Sequence, residues 1–143
     1  MRPPKRLELS VMGLAVCLAM TASEANVVTV VSAKSPITAL SKAQIADIFL
    51  GKSNSFPDGA QATPIDQPEA SSVREEFYDK VTGKSLAQLK AHWSKIIFTG
   101  RGRPPKTASS STEVKKLLAE NWLAIGYIEE TQVDPSVRVL REN

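Results

Sequence analysis

Ser71, Ser72 and Arg74 stand together where a run of strand character gives way to a run of helix character, in the stretch QATPIDQPEASSVREEF from Gln61 to Phe77. A strand that feeds a helix through a serine-containing turn aims unpaired amides, hydroxyls and the positive end of the helix dipole at one point. That is a usual geometry for holding an oxyanion. The plainer reading is capping: Ser72 followed by Glu75 has the spacing of a capping box, and helix-start serines most often cap. Arg74 opposes the dipole in a first turn, so it needs a partner acid such as Glu69, a bound anion, or simple exposure. Asp66, Glu69, Glu75 and Glu76 crowd the same stretch, yet the two later glutamates sit where the dipole favours acids anyway.

Other chemistries find little support. His92 follows no Ser, Cys or acid motif, lies beside Trp93 on the less apolar side of a predicted helix, and reads as a surface residue. There is no His/Cys spacing for a metal and no phosphate loop of the GxxxxGK[ST] kind. The loop RGRPPKTAS from Arg101 to Ser109 is basic but carries no interleaved aromatics, so a solvated loop is favoured over a nucleic-acid or anionic-lipid contact.

The elements that must position the serine-arginine turn can be read in order. NVVTVVS, Asn26 to Ser32, is a β-branched run with the character of a buried strand. Ser41 with Gln44 forms a capping box, and Leu40 with Ile45 a hydrophobic staple, for a helix that stops at Gly51. Gln61 to Asp66 is the central strand, and Val73, Phe77 and Val81 recur on one face of the helix after it. Ser85 with Gln88 opens a third helix, lined by Leu86, Leu89, Trp93 and Ile96 or Ile97. Ser110 with Glu113 opens a fourth, lined by Val114, Leu117 and Leu118. AIGYI, Ala124 to Ile128, and then Val137 to Leu140 have strand character. Strands alternating with helices predict an α/β domain with a mainly parallel sheet flanked by helices. Ligands of such sheets gather at strand C-termini, where three polar loops are candidates: Ser32 to Ser35, Asp66 to Ser72, and Lys106 to Ser111.

The chain has 143 residues and a formal net charge of +3, one domain's worth of sequence. Its first 25 residues run from basic (Arg2, Lys5, Arg6) through apolar (Val11 to Met20) to small residues at Ser23 and Ala25. That is the layout of a secretory signal cleaved after Ala25. Cys17, the only cysteine, lies inside the apolar run, so residues 26–143 offer no disulfide or thiol chemistry. Losing Arg2, Lys5, Arg6, Glu8 and Glu24 from the 18 basic and 15 acidic side chains leaves 15 and 13, too even a balance to argue for nucleic acid.

LSKAQIADIFLGKSNSFPDGAQATPID, SSVREEFYDKVTGKS, WSKIIFTGRGRPP and AIGYI together resemble the phosphate-binding proteins of bacterial ABC uptake systems, most closely a short, single-lobe group of secreted members. The resemblance covers nearly all of Asn26 to Ile128. It implies a single periplasmic-binding-protein-like lobe and a secreted or periplasmic protein that binds phosphate or a related oxyanion. It implies no enzymatic activity and no cofactor or metal. It places the ligand at Ser71 and Ser72 with Arg74, and sets the loop holding Ser35 after a strand that crosses from the missing lobe. Full-length members are about twice as long, and their strand-end arginine is absent here, where Asp66 and Glu69 stand instead. The implied partners are an ABC permease or another envelope protein, and a second copy that completes the cleft. The other reading is a lobe that has lost its ligand and works as an envelope protein-interaction module.

Overall fold

A computed structural model describes residues 26–143. The basic and apolar leader with Cys17 lies outside the described residues. The strands are β1 (Val27–Ser32), β2 (Ala39–Leu40), β3 (Thr63–Asp66), β4 (Lys106–Thr107), β5 (Ala124–Glu129), β6 (Val137–Val139) and β7 (Arg141–Glu142). The helices are α1 (Lys42–Phe49), α2 (Ser72–Thr82), α3 (Leu86–Phe98) and α4 (Ser111–Glu120), with a short 3-10 turn at Glu130–Gln132. No helix among the described residues is long and apolar enough to cross a membrane.

Five strands form a mixed sheet in the order β4-β3-β5-β1-β6, and β2 pairs with β7 beside it. The pairs β3–β4 and β3–β5 are parallel, whereas β1 is antiparallel to both β5 and β6. Four of the five strands therefore run one way and β1 alone runs against them. The expected neighbourhood of β1 and β5 holds, with Val27 opposite Glu129 and Val31 opposite Ile125.

Side chains alternate across a strand, and here the alternation feeds two cores. Val27, Val31, Ile125 and Tyr127 face a larger core with Ile45 and Phe49 of α1, Phe77 and Val81 of α2, and Leu89 and Trp93 of α3. Val30, Ala124 and Ile128 face a smaller one with Val114 and Leu118 of α4. The lobe is thus a sheet between helical layers, with α1 to α3 on one face and α4 on the other.

The caps explain where the helices begin. Ser41 with Gln44, and Ser85 with Gln88, make the reciprocal hydrogen bonds of capping boxes. Leu40 and Ile45 are both buried as the staple requires. Gly51 follows α1 at φ 72°, a left-handed conformation that glycine adopts without penalty. A Cβ there would lie 2.9 Å from the Trp93 ring, so glycine also lets α3 close over the end of α1. The hydrogen bond from His92 Nε2 to the Leu50 carbonyl, at 2.7 Å, ties the same two helices. His92 is therefore a half-buried tether, not the surface residue its position suggests.

The apolar face of α3 holds through Ile96, which packs against the larger core, while Ile97 is 56% and Phe98 92% exposed. Two expectations need correction. Helix α2 is capped by Ser71, whose hydroxyl accepts from the Arg74 amide, so Ser72 and Glu75 make no capping box. In α4, Ser110 caps as expected, but the Glu113 carboxylate reaches past it to the Ser109 amide and hydroxyl.

Candidate functional site

Strand β3 ends at Asp66, and the chain turns through Gln67 and Pro68 into α2. Parallel β5 ends beside it, and the loop before α4 closes the same edge. Ser71 and Ser72 from the start of α2, with Ser110, Ser111 and Thr112 from the start of α4, line one cleft of about 490 Å³. The two helices lie on opposite faces of the sheet, so their N-termini meet only at this strand-end edge. An α-helix leaves its first amides without intrahelical partners. In α2 the Arg74 amide goes to Ser71, and in α4 the Glu113 amide goes to Ser110. The amides of Ser72, Val73, Ser111 and Thr112 belong to first turns, where a helix supplies no partner of its own.

Gln67 holds the two sides together. Its side-chain amide donates to the Tyr127 carbonyl at 2.9 Å and to the Ser111 hydroxyl at 3.2 Å. Glu129 and Gln132 complete the lining. No lysine or arginine is among the cleft's lining residues, so its attraction for an anion rests on dipoles, amides and hydroxyls. Glu113 adds a negative charge near the start of α4. The Ser109 hydroxyl and then the Ser109 amide hold its carboxyl below the usual carboxylate range.

Arg74 is elsewhere. It lines a neighbouring cleft of about 500 Å³ with Glu69, Lys90 and Trp93. Its Nε lies 3.3 Å from Asp66 Oδ1 and makes no aligned hydrogen bond, so the contact is an ion pair held by charge. Its guanidinium also sits over the Tyr78 ring at 5.3 Å. The acid that accounts for Arg74 is thus Asp66 and not Glu69.

Asp66 is 4% exposed and well provided with donors. Tyr78 donates to Oδ2 at 2.9 Å, Tyr127 donates to Oδ1, and the Gln67 amide donates to Oδ1 at 2.8 Å. Burial first, and then the Asp66 charge, push both tyrosine hydroxyls far above their ordinary value, so they remain protonated donors. The rings of Phe77 and Tyr127 stack at 4.0 Å, and Phe49 meets Phe77 edge-on at 4.8 Å. Asp66 lines the neighbouring cleft with Arg74 and is not among the residues of the cleft between the two helix starts.

Ser35 joins none of this. Because β1 is antiparallel, its C-terminal end lies beside the start of β5, at the opposite edge of the sheet from Ser71. There the Ser35 hydroxyl accepts from the Ile37 amide, and Arg138 donates to the carbonyls of Ala33, Ser35 and Ile37. Of the three loops expected to gather at one strand end, two do so and the one holding Ser35 does not. Among the described residues no cluster of His, Cys, Asp and Glu could hold a metal ion.

Solved structures carry the comparison with known proteins. A phosphate ABC transporter substrate-binding protein from Clostridium perfringens, solved with bound phosphate, matches with a TM-score of 0.65 and 22% identity, over 81% of this chain and 44% of that one. An ABC-type phosphate transport receptor from Vibrio cholerae matches with a TM-score of 0.65 and 18% identity, over 81% and 45%. The fold is that of a lobe of these binding proteins. PstS from Borrelia burgdorferi matches likewise, with a TM-score of 0.61 and 17% identity over 82% and 47%. The chain spans less than half the length of each. No family model and no curated protein matches the sequence.

Proposed function

We propose that this lobe binds phosphate or a related oxyanion, as a non-enzymatic component of an ABC uptake or sensing system, with the anion over the starts of α2 and α4. One observation carries the reading: Ser71, Ser72, Ser110 and Ser111 bring two helix N-termini to a single cleft, in a fold shared with phosphate-binding proteins. Two N-termini offer first-turn amides and several hydroxyls, a donor set matched to an acceptor-only ligand. A cleft that is open to water and lacks a full positive charge binds weakly. The expected affinity is micromolar to millimolar, on the order of 4–8 kcal/mol.

Calorimetric titration with phosphate and sulfate at low salt tests this. Ser72→Asp adds a negative charge at the cleft and abolishes binding, whereas Glu129→Gln removes one and strengthens it. Arg74→Ala lowers stability but leaves the affinity unchanged, because its charge is engaged by Asp66 in the neighbouring cleft. Absence of phosphate binding at millimolar concentration overturns the proposal. That result leaves the interaction-module reading, which the cation-free lining favours. In either reading the leader directs export, with cleavage after Ala25. The intact mass of the secreted protein then begins at Asn26, and a mass that retains Met1 refutes it.

A further inference from the structure

Between Lys80 and Thr112 the chain carries seven of the 15 basic side chains of residues 26–143 and none of the 13 acidic ones. This segment contains α3 and the loop that follows, and its cations are exposed apart from half-buried Lys84. The end of α3 also holds the most exposed apolar side chains near it, Phe98 at 92% and Ile97 at 56%. On the helix surface Lys90, Ser94 and Ile97 form one row, bordering the cleft that also holds Glu69, Arg74 and Trp93, and Ala91, Lys95 and Phe98 form the next, turned away from buried Leu89 and Trp93. The loop folds back on the helix end, with the Arg101 amide donating to the Ile96 carbonyl at 3.1 Å and the Gly100 amide to that of Ile97. The basic loop therefore starts, at Arg101, beside the helix end that carries Phe98.

We propose that this face docks on an anionic lipid bilayer, with Phe98 and Ile97 entering the interface and the cations flanking them engaging phosphate headgroups. The charge is one-sided, so the occupant must be negative. An exposed ring at a protruding helix end suits a soft interface better than a pocketed protein surface. Apolar burial plus attraction to anionic lipid is the energetic basis of interfacial binding. None of these residues lines the cleft at the starts of α2 and α4, so the proposal stands or falls apart from the oxyanion reading.

The test is co-sedimentation of residues 26–143, the exported form under the proposed cleavage, with vesicles of phosphatidylcholine alone and of phosphatidylcholine mixed with phosphatidylglycerol. Binding is expected only to the mixed vesicles and should weaken as salt rises. Phe98→Ser and the double change Arg101→Glu, Arg103→Glu should each lower it about tenfold or more. Both positions are exposed, and circular dichroism verifies that the variants fold. Equal binding to both vesicle types, or binding to neither, overturns the proposal. So does a loss with the arginine change but none with Phe98→Ser, which would mark a general polyanion surface that heparin also titrates. A dimer in analytical ultracentrifugation that Phe98→Ser dissociates would overturn it in favour of a second copy of the chain.

Discussion

Replacing Asp66 with alanine strikes the point where β3, α2 and β5 are joined by charge. The carboxylate accepts from two tyrosine hydroxyls and one backbone amide and pairs with Arg74. Each hydrogen bond to a charged acceptor contributes about 1.5–3 kcal/mol. The contributions share one acceptor and do not simply add, and the variant also leaves Arg74 partly buried without its counter-charge. Breaking a buried pair from one side costs roughly 3–5 kcal/mol. A domain of this size has on the order of 5–15 kcal/mol in total, so a large share is lost. With an m-value of about 2 kcal/mol per molar urea, the unfolding midpoint should fall by about 2 M. Asp66→Asn keeps the volume and one acceptor and should cost about half as much. Urea titration followed by tryptophan fluorescence reads both. A loss below about 1 kcal/mol for Asp66→Ala would refute the view that this carboxylate organises the strand end. Tyr127→Phe should then couple to Asp66→Ala by about 0.5–3 kcal/mol in a double-mutant cycle, as groups in one network do.

Two further outcomes follow from the packing. Tyr78 and Tyr127 hold their protons far above the ordinary tyrosine value, so the unfolded chain loses protons first as the pH passes about 10. Their contribution is complete below that pH and is lost above it, by roughly 2.7 kcal/mol per pH unit for the two together. The urea midpoint should therefore fall steeply from about pH 10 upward, and Tyr127→Phe should about halve the slope; a flat midpoint would contradict the burial of these hydroxyls. A Cβ on Gly126 would lie 2.7 Å from Val114 Cγ1. Gly126→Ala should cost about 1–3 kcal/mol by overpacking, and Val114→Ala should restore part of it in the double variant; independent losses in denaturant titration would show that β5 and α4 are not in such close contact.

Local signals in the sequence proved the most readable. Ser41 with Gln44 and Ser85 with Gln88 declare their helices within four residues, and Phe77 and Trp93 declare a buried face by period alone. At the candidate site two adjacent serines competed for one cap, and the Ser-x-x-Glu pattern pointed to Ser72 where Ser71 does the work. Arg74, two residues beyond Ser72, turns to the neighbouring cleft, because its partner Asp66 lies on that side. The role of Asp66 is not legible locally, because its donors Tyr78 and Tyr127 come from α2 and from a strand some 60 residues later. The place of Ser35 at the other end of the sheet is hidden for the same kind of reason. Which way a strand runs in its sheet depends on partners, and VVTVVS reads alike in either direction.

The position of β1 has a consequence for the order in which the chain can be completed. It is the first strand described, yet both of its neighbours, β5 and β6, come from the last twenty residues. During synthesis the first strand has no partner until almost the whole chain has emerged. Contacts of such wide separation must pay for loop closure before they contribute, which slows folding. On the proposed export route, a β1 that cannot pair early would help keep the chain unfolded for passage through a membrane. The exposed edges left meanwhile are the corresponding hazard, and any truncation that removes Val137–Val139 strips β1 of one neighbour for good.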